Sequence, residues 1–169
     1  MQKGRRKLNQ AGMTLVELIV VILILGILSA GAAVGINYAS RMNATSAGEK
    51  LVSLLERTRV YTLSANGTVK LVLSHDGGTY YGTLMNGSTE VDKVALGNGN
   101  LTIKATKIIV NGEGAEVQQT KNIKNDGAFE ISYNKENGAF AEKYKQIEIT
   151  GSETRYIQLV HTTGRSYLK

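Results

Sequence analysis

The chain has 169 residues, enough for about one ordinary domain. It has no cysteine, which excludes disulfides, thiol catalysis and cysteine-based zinc or iron–sulfur sites while leaving the compartment open. The formal charge of +6 sits mostly at the N-terminus: Lys3, Arg5, Arg6 and Lys7 precede every acid, and the rest holds 16 basic and 14 acidic side chains, so the balance says little about a nucleic-acid partner.

The first element is apolar. From Leu18 to Ile36 nineteen residues carry no charge, and only Ser29 has a polar side chain. As a helix this run spans about 28 Å, close to the ~30 Å hydrocarbon thickness of a bilayer. Basic residues before it and few after it fit a cytoplasmic N-terminus with the C-terminal part outside. Residues 13–36 are therefore expected to form the transmembrane part of an N-terminal helix. The alternative is a cleaved secretory signal, with Ala30-Gly31-Ala32 as its small-residue site. The apolar run is long for a signal core of about 7–15 residues, and Glu17 stands at its head. Gly31 and Gly35 form a small-xxx-small pair suited to close helix packing in lipid.

No proline occurs anywhere, so nothing breaks the helix in the usual way. Past Arg41 the pattern becomes amphipathic, with Ala44, Ala47, Leu51, Leu54, Leu55, Thr58 and Thr62 at spacings of three and four. Asn66-Gly67 supplies a stop. Residues 37–66 are thus expected to continue the same helix as a packed stalk. From residue 67 to 169 short β-like runs follow: TVKLVLS, TYYGTLM, EVDKVAL, LTIKATKIIV, AFEISY, KQIEIT and RYIQLVH. Asp76-Gly77, Asn86-Gly87, Asn98-Gly99, Asn111-Gly112, Asp126-Gly127 and Asn137-Gly138 separate them as hairpin-type turns. The expected fold class is α+β: a long N-terminal transmembrane and amphipathic helix packed on a small antiparallel β-sheet domain.

The stretch AGMTLVEL resembles the processing site of type IV prepilins and pseudopilins. In that family a basic leader ends in glycine, a membrane peptidase cuts after it and N-methylates the new first residue, and a glutamate stands fifth in the mature chain. Gly12, Met13 and Glu17 match these roles, although Met13 replaces the usual phenylalanine. The resemblance implies a cleaved leader over 1–12, a pilin-like fold, and partners among other pilins, the prepilin peptidase and the membrane. It also implies a pairing of Glu17 with the new α-amino group of a neighbouring subunit. The implied localisation is the inner membrane with the C-terminal domain outside, then a periplasmic or surface filament. The order of elements is similar to that of the H-type (GspH/FimT-like) minor pseudopilins. Leu54, Arg59 and Thr62 fill a helix pattern of that group, with threonine for alanine, and Gly164-Arg165 matches its terminal turn and strand.

No HExxH, GxSxG or P-loop pattern occurs, and the two histidines, His75 and His161, form no constellation in sequence. No catalytic residue, cofactor or metal ligand is expected. His75-Asp76 reads as a solvated loop, and Asn125-Asp126-Gly127 lacks the alternating oxygens of a calcium loop. At the C-terminus Arg155, Arg165 and Lys169 mix with Tyr156 and Tyr167. Such mixtures can grip phosphates and stack bases. Some FimT-like pilins use a Gly-Arg-x-Arg end for DNA uptake, but Tyr167 stands at the second arginine position here. Arg165 and Lys169 are thus candidate DNA contacts that are not favoured over a polar hairpin.

Overall fold

The computed structural model describes the backbone from Leu15 to Lys169 and the side chains of residues 15–25 and 43–169. Its elements are α1 Leu15–Ser64, β1 Val69–Asp76, β2 Thr79–Asn86, β3 Thr89–Asn98, β4 Thr102–Val110, β5 Glu116–Asn122, β6 Phe129–Ser132, β7 Tyr144–Thr150, β8 Thr154–Val160 and β9 Arg165–Leu168. The chain divides into two compact units, residues 1–37 and residues 38–169.

The larger unit holds the core. Its part of α1 buries Ala44, Ala47, Leu51, Leu54, Leu55, Thr58 and Thr62, the expected stripe. Two of those positions are hydroxyls, and each is satisfied inside the helix. Thr58 Oγ1 donates to the Leu54 carbonyl at 2.7 Å, and Thr62 Oγ1 to the Thr58 carbonyl at 2.7 Å. Threonine can therefore replace an apolar residue in the stripe without leaving a buried donor unpaired. Full burial of each leucine contributes roughly 1.5–3 kcal/mol.

The strands form two antiparallel sheets rather than the one expected. The first has the order β3-β2-β1-β6 and the second β5-β4-β7-β8-β9. Helix α1 touches both. Gly82 of β2 leaves room for Leu54, and Arg57 Nη1 lies 2.7 Å from Asp92 Oδ2 of β3. On the second sheet, Leu168 of β9 packs against Gly48, and Arg155 Nε of β8 donates to Thr45 Oγ1 at 3.3 Å. One amphipathic stripe thus covers two sheets, and Leu71, Leu73, Ile131, Ile103, Ile147, Ile149 and Ile157 meet it in one core.

Strand β5 was not among the expected runs. EVQQTKN has a single apolar side chain, and its strand conformation comes from an unbroken ladder with β4. The turns also differ in detail. Gly77 and Gly78, at φ 54° and 80°, make the two-residue β1–β2 loop that needs a left-handed pair. At Asn98-Gly99 and Asn111-Gly112 the glycines do not take positive φ. Asn111 instead closes its turn with its side chain, Oδ1 accepting from the Glu113 and Ala115 amides at 3.1 and 2.8 Å.

Candidate functional site

The described side chains of the N-terminal unit run from Leu15 to Leu25, and all of them are exposed. They include Leu15 at 74 % exposure and Ile22 at 61 %. A helix that is apolar all round cannot be stabilised in water by one buried face; it requires an apolar surrounding such as lipid or other helices. Glu17 is the acid of its first turn, where a carboxylate is favoured by the helix dipole. Among the described residues no helix is long and apolar enough to cross a membrane. The expected span over 13–36 falls largely outside the described side chains, as do Gly31 and Gly35. Gly12 and Met13, and the leader 1–12, lie outside the described residues altogether.

A second group gathers around Arg59. Its Nε donates to the Gly138 carbonyl at 3.0 Å, and its Nη1 pairs with Glu56 Oε1 at 3.1 Å. Gly164 sits against the same carbonyl with φ 65°. A Cβ there would overlap the Gly138 oxygen and press on the Arg59 guanidinium. One turn earlier on the helix, Tyr133 Oη donates to the Leu55 carbonyl at 3.0 Å, and burial, then Glu56, pushes its phenol well above the usual range. The helix arginine, the 137–138 turn and the Gly164 turn are therefore one junction. Leu54 and Thr62 are buried on either side of it. Gly138 was read from sequence only as a turn; its role as the acceptor for Arg59 has no local signal.

The C-terminal residues separate by strand face. Arg165, Tyr167 and Lys169 share a face with Val160, Gln158 and Tyr156, through the pairs Val160–Arg165 and Gln158–Tyr167 and two backbone bonds between Tyr156 and Lys169. Tyr167 is 50 % exposed and Tyr156 39 %. Arg155 points to the other face, where it pairs with Glu153 at 2.9 Å. Glu148, opposite Tyr156 on β7, is half-buried and pairs with Lys104 of β4 at 3.2 Å.

His75 is not in a solvated loop. It lies in β1 on the same face as Leu71 and Leu73, half-buried, with its ring 4.6 Å from that of its cross-strand partner Tyr80. The alternation of β1 carries one position further than the turn signal implied. His161 follows β8, with Nδ1 3.0 Å from the Glu142 carbonyl oxygen. His75 lies in a strand of the first sheet, and His161 in the turn between β8 and β9 of the second. Among the described residues no group of three potential ligands is placed to hold a metal ion.

The exposed and nearly all apolar side chains of residues 15–25 fall inside the segment that defines the chain's class: it carries a type IV prepilin-like N-terminal signal. Residues 7–33 match the prokaryotic N-terminal methylation motif. The match includes Gly12, Met13, Glu17 and Gly31, and it supports kinship with the pilins and pseudopilins. It covers none of the β sheets. No curated protein and no solved structure matches the chain.

Proposed function

We propose that this protein is a pilin-like subunit without enzymatic activity, whose work is assembly into, or priming of, a filament of the type IV pilus, type II secretion or competence kind. The observation that carries the reading is the methylation motif over residues 7–33, joined to a helix start whose side chains are all exposed and nearly all apolar. A peptidase removes residues 1–12 after Gly12, and Met13 becomes an N-methylated first residue. The apolar helix holds the subunit in the inner membrane and later packs among the helices of its neighbours, with the β unit on the outer side. Gly31 and Gly35 then allow close helix approach.

Glu17 acquires its role on assembly. Moving a carboxylate from the membrane edge into a bundle of apolar helices is costly unless it is paired. Cleavage creates a cation for that purpose, the α-amino group of Met13, and its pairing with Glu17 of an adjacent subunit sets the axial register of helices that otherwise slide. The Arg59–Gly138–Gly164 junction supports the finer reading as an H-type minor subunit, because it unites the helix arginine with the terminal glycine turn that the resemblance singled out.

Intact-mass measurement of membrane-extracted protein tests the processing step: 157 residues, 169 less 12, with one N-methyl group are expected. A mature terminus near Ala33 would instead establish a secretory signal. Glu17→Leu is expected to reach the membrane normally and to be missing from sheared filaments; normal incorporation would refute the pairing.

A DNA-uptake role is the second reading, favoured by one observation: Arg165, Lys169, Tyr156 and Tyr167 share an exposed face. Two cations make this a weaker phosphate surface than the motif makes an assembly signal.

A further inference from the structure

Each sheet ends in edge strands, and these edges are not protected alike. On the first sheet, β3 carries Glu90, Asp92 and Lys93 and pairs with β2 through two register irregularities. Its other edge, β6, has four residues, and at Ser132 both outward groups are taken, the amide by Tyr144 Oη and the carbonyl by the Ala141 amide. On the second sheet, β9 is also only four residues long. Charges, bulges and brevity are the devices that stop an edge from recruiting another strand.

Strand β5 has neither a bulge nor brevity to protect it. It runs seven residues in unbroken register with β4 and contains no proline or glycine. Its only charges are Glu116, which is paired with Lys143, and Lys121, which is turned away to donate to the Ala128 carbonyl at 2.6 Å. The Ile123 amide bonds the Ile103 carbonyl and the Asn111 amide bonds the Ala115 carbonyl, so the ladder to β4 runs through odd-numbered residues. The amides and carbonyls of Glu116, Gln118 and Thr120 therefore point outward. At Asn122 the outward groups are already capped, the amide by Asp126 Oδ2 and the carbonyl by the Asn125 and Asp126 amides. What stays open is a three-residue template, 116-118-120, and every residue from Glu116 to Thr120 is exposed. Beside it Ile109 and Val117, a cross-strand pair, expose apolar surface.

We propose that this edge is an interaction surface for a second copy of the chain, β5 pairing antiparallel with β5 about a two-fold axis at Gln118. The strand suits itself as partner. Gln118 meets Gln118; its Oε1 accepts from Lys145 Nζ at 3.0 Å, and its amide NH2 can donate across the axis. Glu116, paired with Lys143, meets Thr120, whose hydroxyl is bonded to that of Thr106 at 2.9 Å, and Val117 meets Gln119. No like charges are opposed, which is the condition that cross-strand pairs impose. Three opposed pairs exchange about six backbone bonds and join two five-stranded sheets into one. The contact is small, so it belongs to the transient class of interfaces. It is independent of the prepilin signal, since β5 lies outside the matched residues.

Because the chain has no cysteine, Gln118→Cys provides a clean trap. Directly opposed bonded residues have Cα atoms about 5.5 Å apart, within disulfide range. Mild oxidation of the full chain in detergent should give a cross-linked species of twice the chain mass for Gln118→Cys, at least tenfold above Asp92→Cys on β3. Association through the apolar helix moves neither variant preferentially. Gln118→Pro removes an outward amide while sparing the ladder to β4, and it should lower the dimer fraction in sedimentation with circular dichroism unchanged. Equal cross-linking at 118 and 92, or a cross-linked product of any mass other than the dimer, would overturn the proposal. Should Gln118→Pro not fold, the cysteine pair still decides.

Discussion

Residues 15–25 and residues 44–62 belong to one helix and obey opposite rules. In the first stretch every side chain is exposed and apolar residues lie on all sides. In the second, Leu51, Leu54 and Leu55 are buried while Glu49, Lys50, Glu56 and Arg57 are exposed. The difference teaches that hydropathy and periodicity carry separate messages. The stretch without a period buries none of its described side chains and holds the recognisable signal. The stretch with a 3.6-residue period holds the fold and lies outside the matched residues 7–33.

The sharpest way to break this comparison is to truncate one leucine in each stretch. Leu55→Ala should cost about 2–5 kcal/mol, because it removes a fully buried side chain next to the Tyr133 hydrogen bond. Leu23→Ala should change the unfolding of the β unit by less than about 0.5 kcal/mol, as exposed positions do. Denaturant titration of both variants checks it. Equal losses would mean that the first stretch shares the core.

A smaller effect is expected at the junction that fixes the second stretch. Gly164→Ala puts a Cβ in the left-handed region, costing about 1–2 kcal/mol, and drives it into the Gly138 carbonyl besides. Gly87→Ala meets open space at a similar φ of 61° and should show only the backbone cost. The difference between the two melting temperatures measures the junction itself.

How much of this was legible follows from where each message is local. The stripe from Ala44 to Thr62 was readable because side-chain period is a property of consecutive residues, and the C-terminal end of α1, at Ser64, fell just before the Asn66-Gly67 signal. Strand β5 was not, because EVQQTKN owes its conformation to β4 and not to its own side chains. The division into two sheets was hidden for the same reason: β6 returns to β1 across more than fifty residues, and no turn signal encodes that return. At the junction, Arg59 and Gly164 were noticed separately, but the carbonyl that unites them belongs to Gly138, and a backbone acceptor leaves no trace in residue type.

Alkaline pH offers a gentler probe of the periodic stretch. Burial holds the phenols of Tyr133, Tyr144 and Tyr80 above their ordinary value of 10.0. A raised folded pKa means that the native state keeps its protons when the unfolded chain has lost them. The stabilisation is thus complete below about pH 10 and is lost as pH rises beyond it, by up to about 1.4 kcal/mol per pH unit for each phenol. Tyr133→Phe should cost about 1 kcal/mol at neutral pH through the missing bond to the Leu55 carbonyl, and should make the alkaline fall shallower. An unchanged slope would mean that Tyr133 ionises freely.

The smallest effect is expected at the far end of the chain, and it asks whether recognition is confined to the N-terminal stretch. Phosphate binding releases condensed counterions, so its strength falls with salt in proportion to the cations engaged. The β8–β9 face presents two, Arg165 and Lys169, and Arg155 is unavailable because it faces Thr45 and Glu153 instead. Two contacts give a slope of about −1.8 on duplex DNA in a plot of log affinity against log salt, too few for more than feeble binding at physiological ionic strength. Tyr156 and Tyr167 add stacking surface, and Glu148, opposite Tyr156, pairs with Lys104 at 3.2 Å, so that pair adds no further net cation. Arg165→Ala and Lys169→Ala should therefore each lower an already weak affinity for all sequences alike, by a factor of a few at low salt and imperceptibly at high salt. Fluorescence anisotropy with duplex and single-stranded probes at several salt concentrations measures this. Sub-micromolar binding that Arg165→Ala abolishes would give the chain a second recognition surface, built by strand register and not by the N-terminal motif.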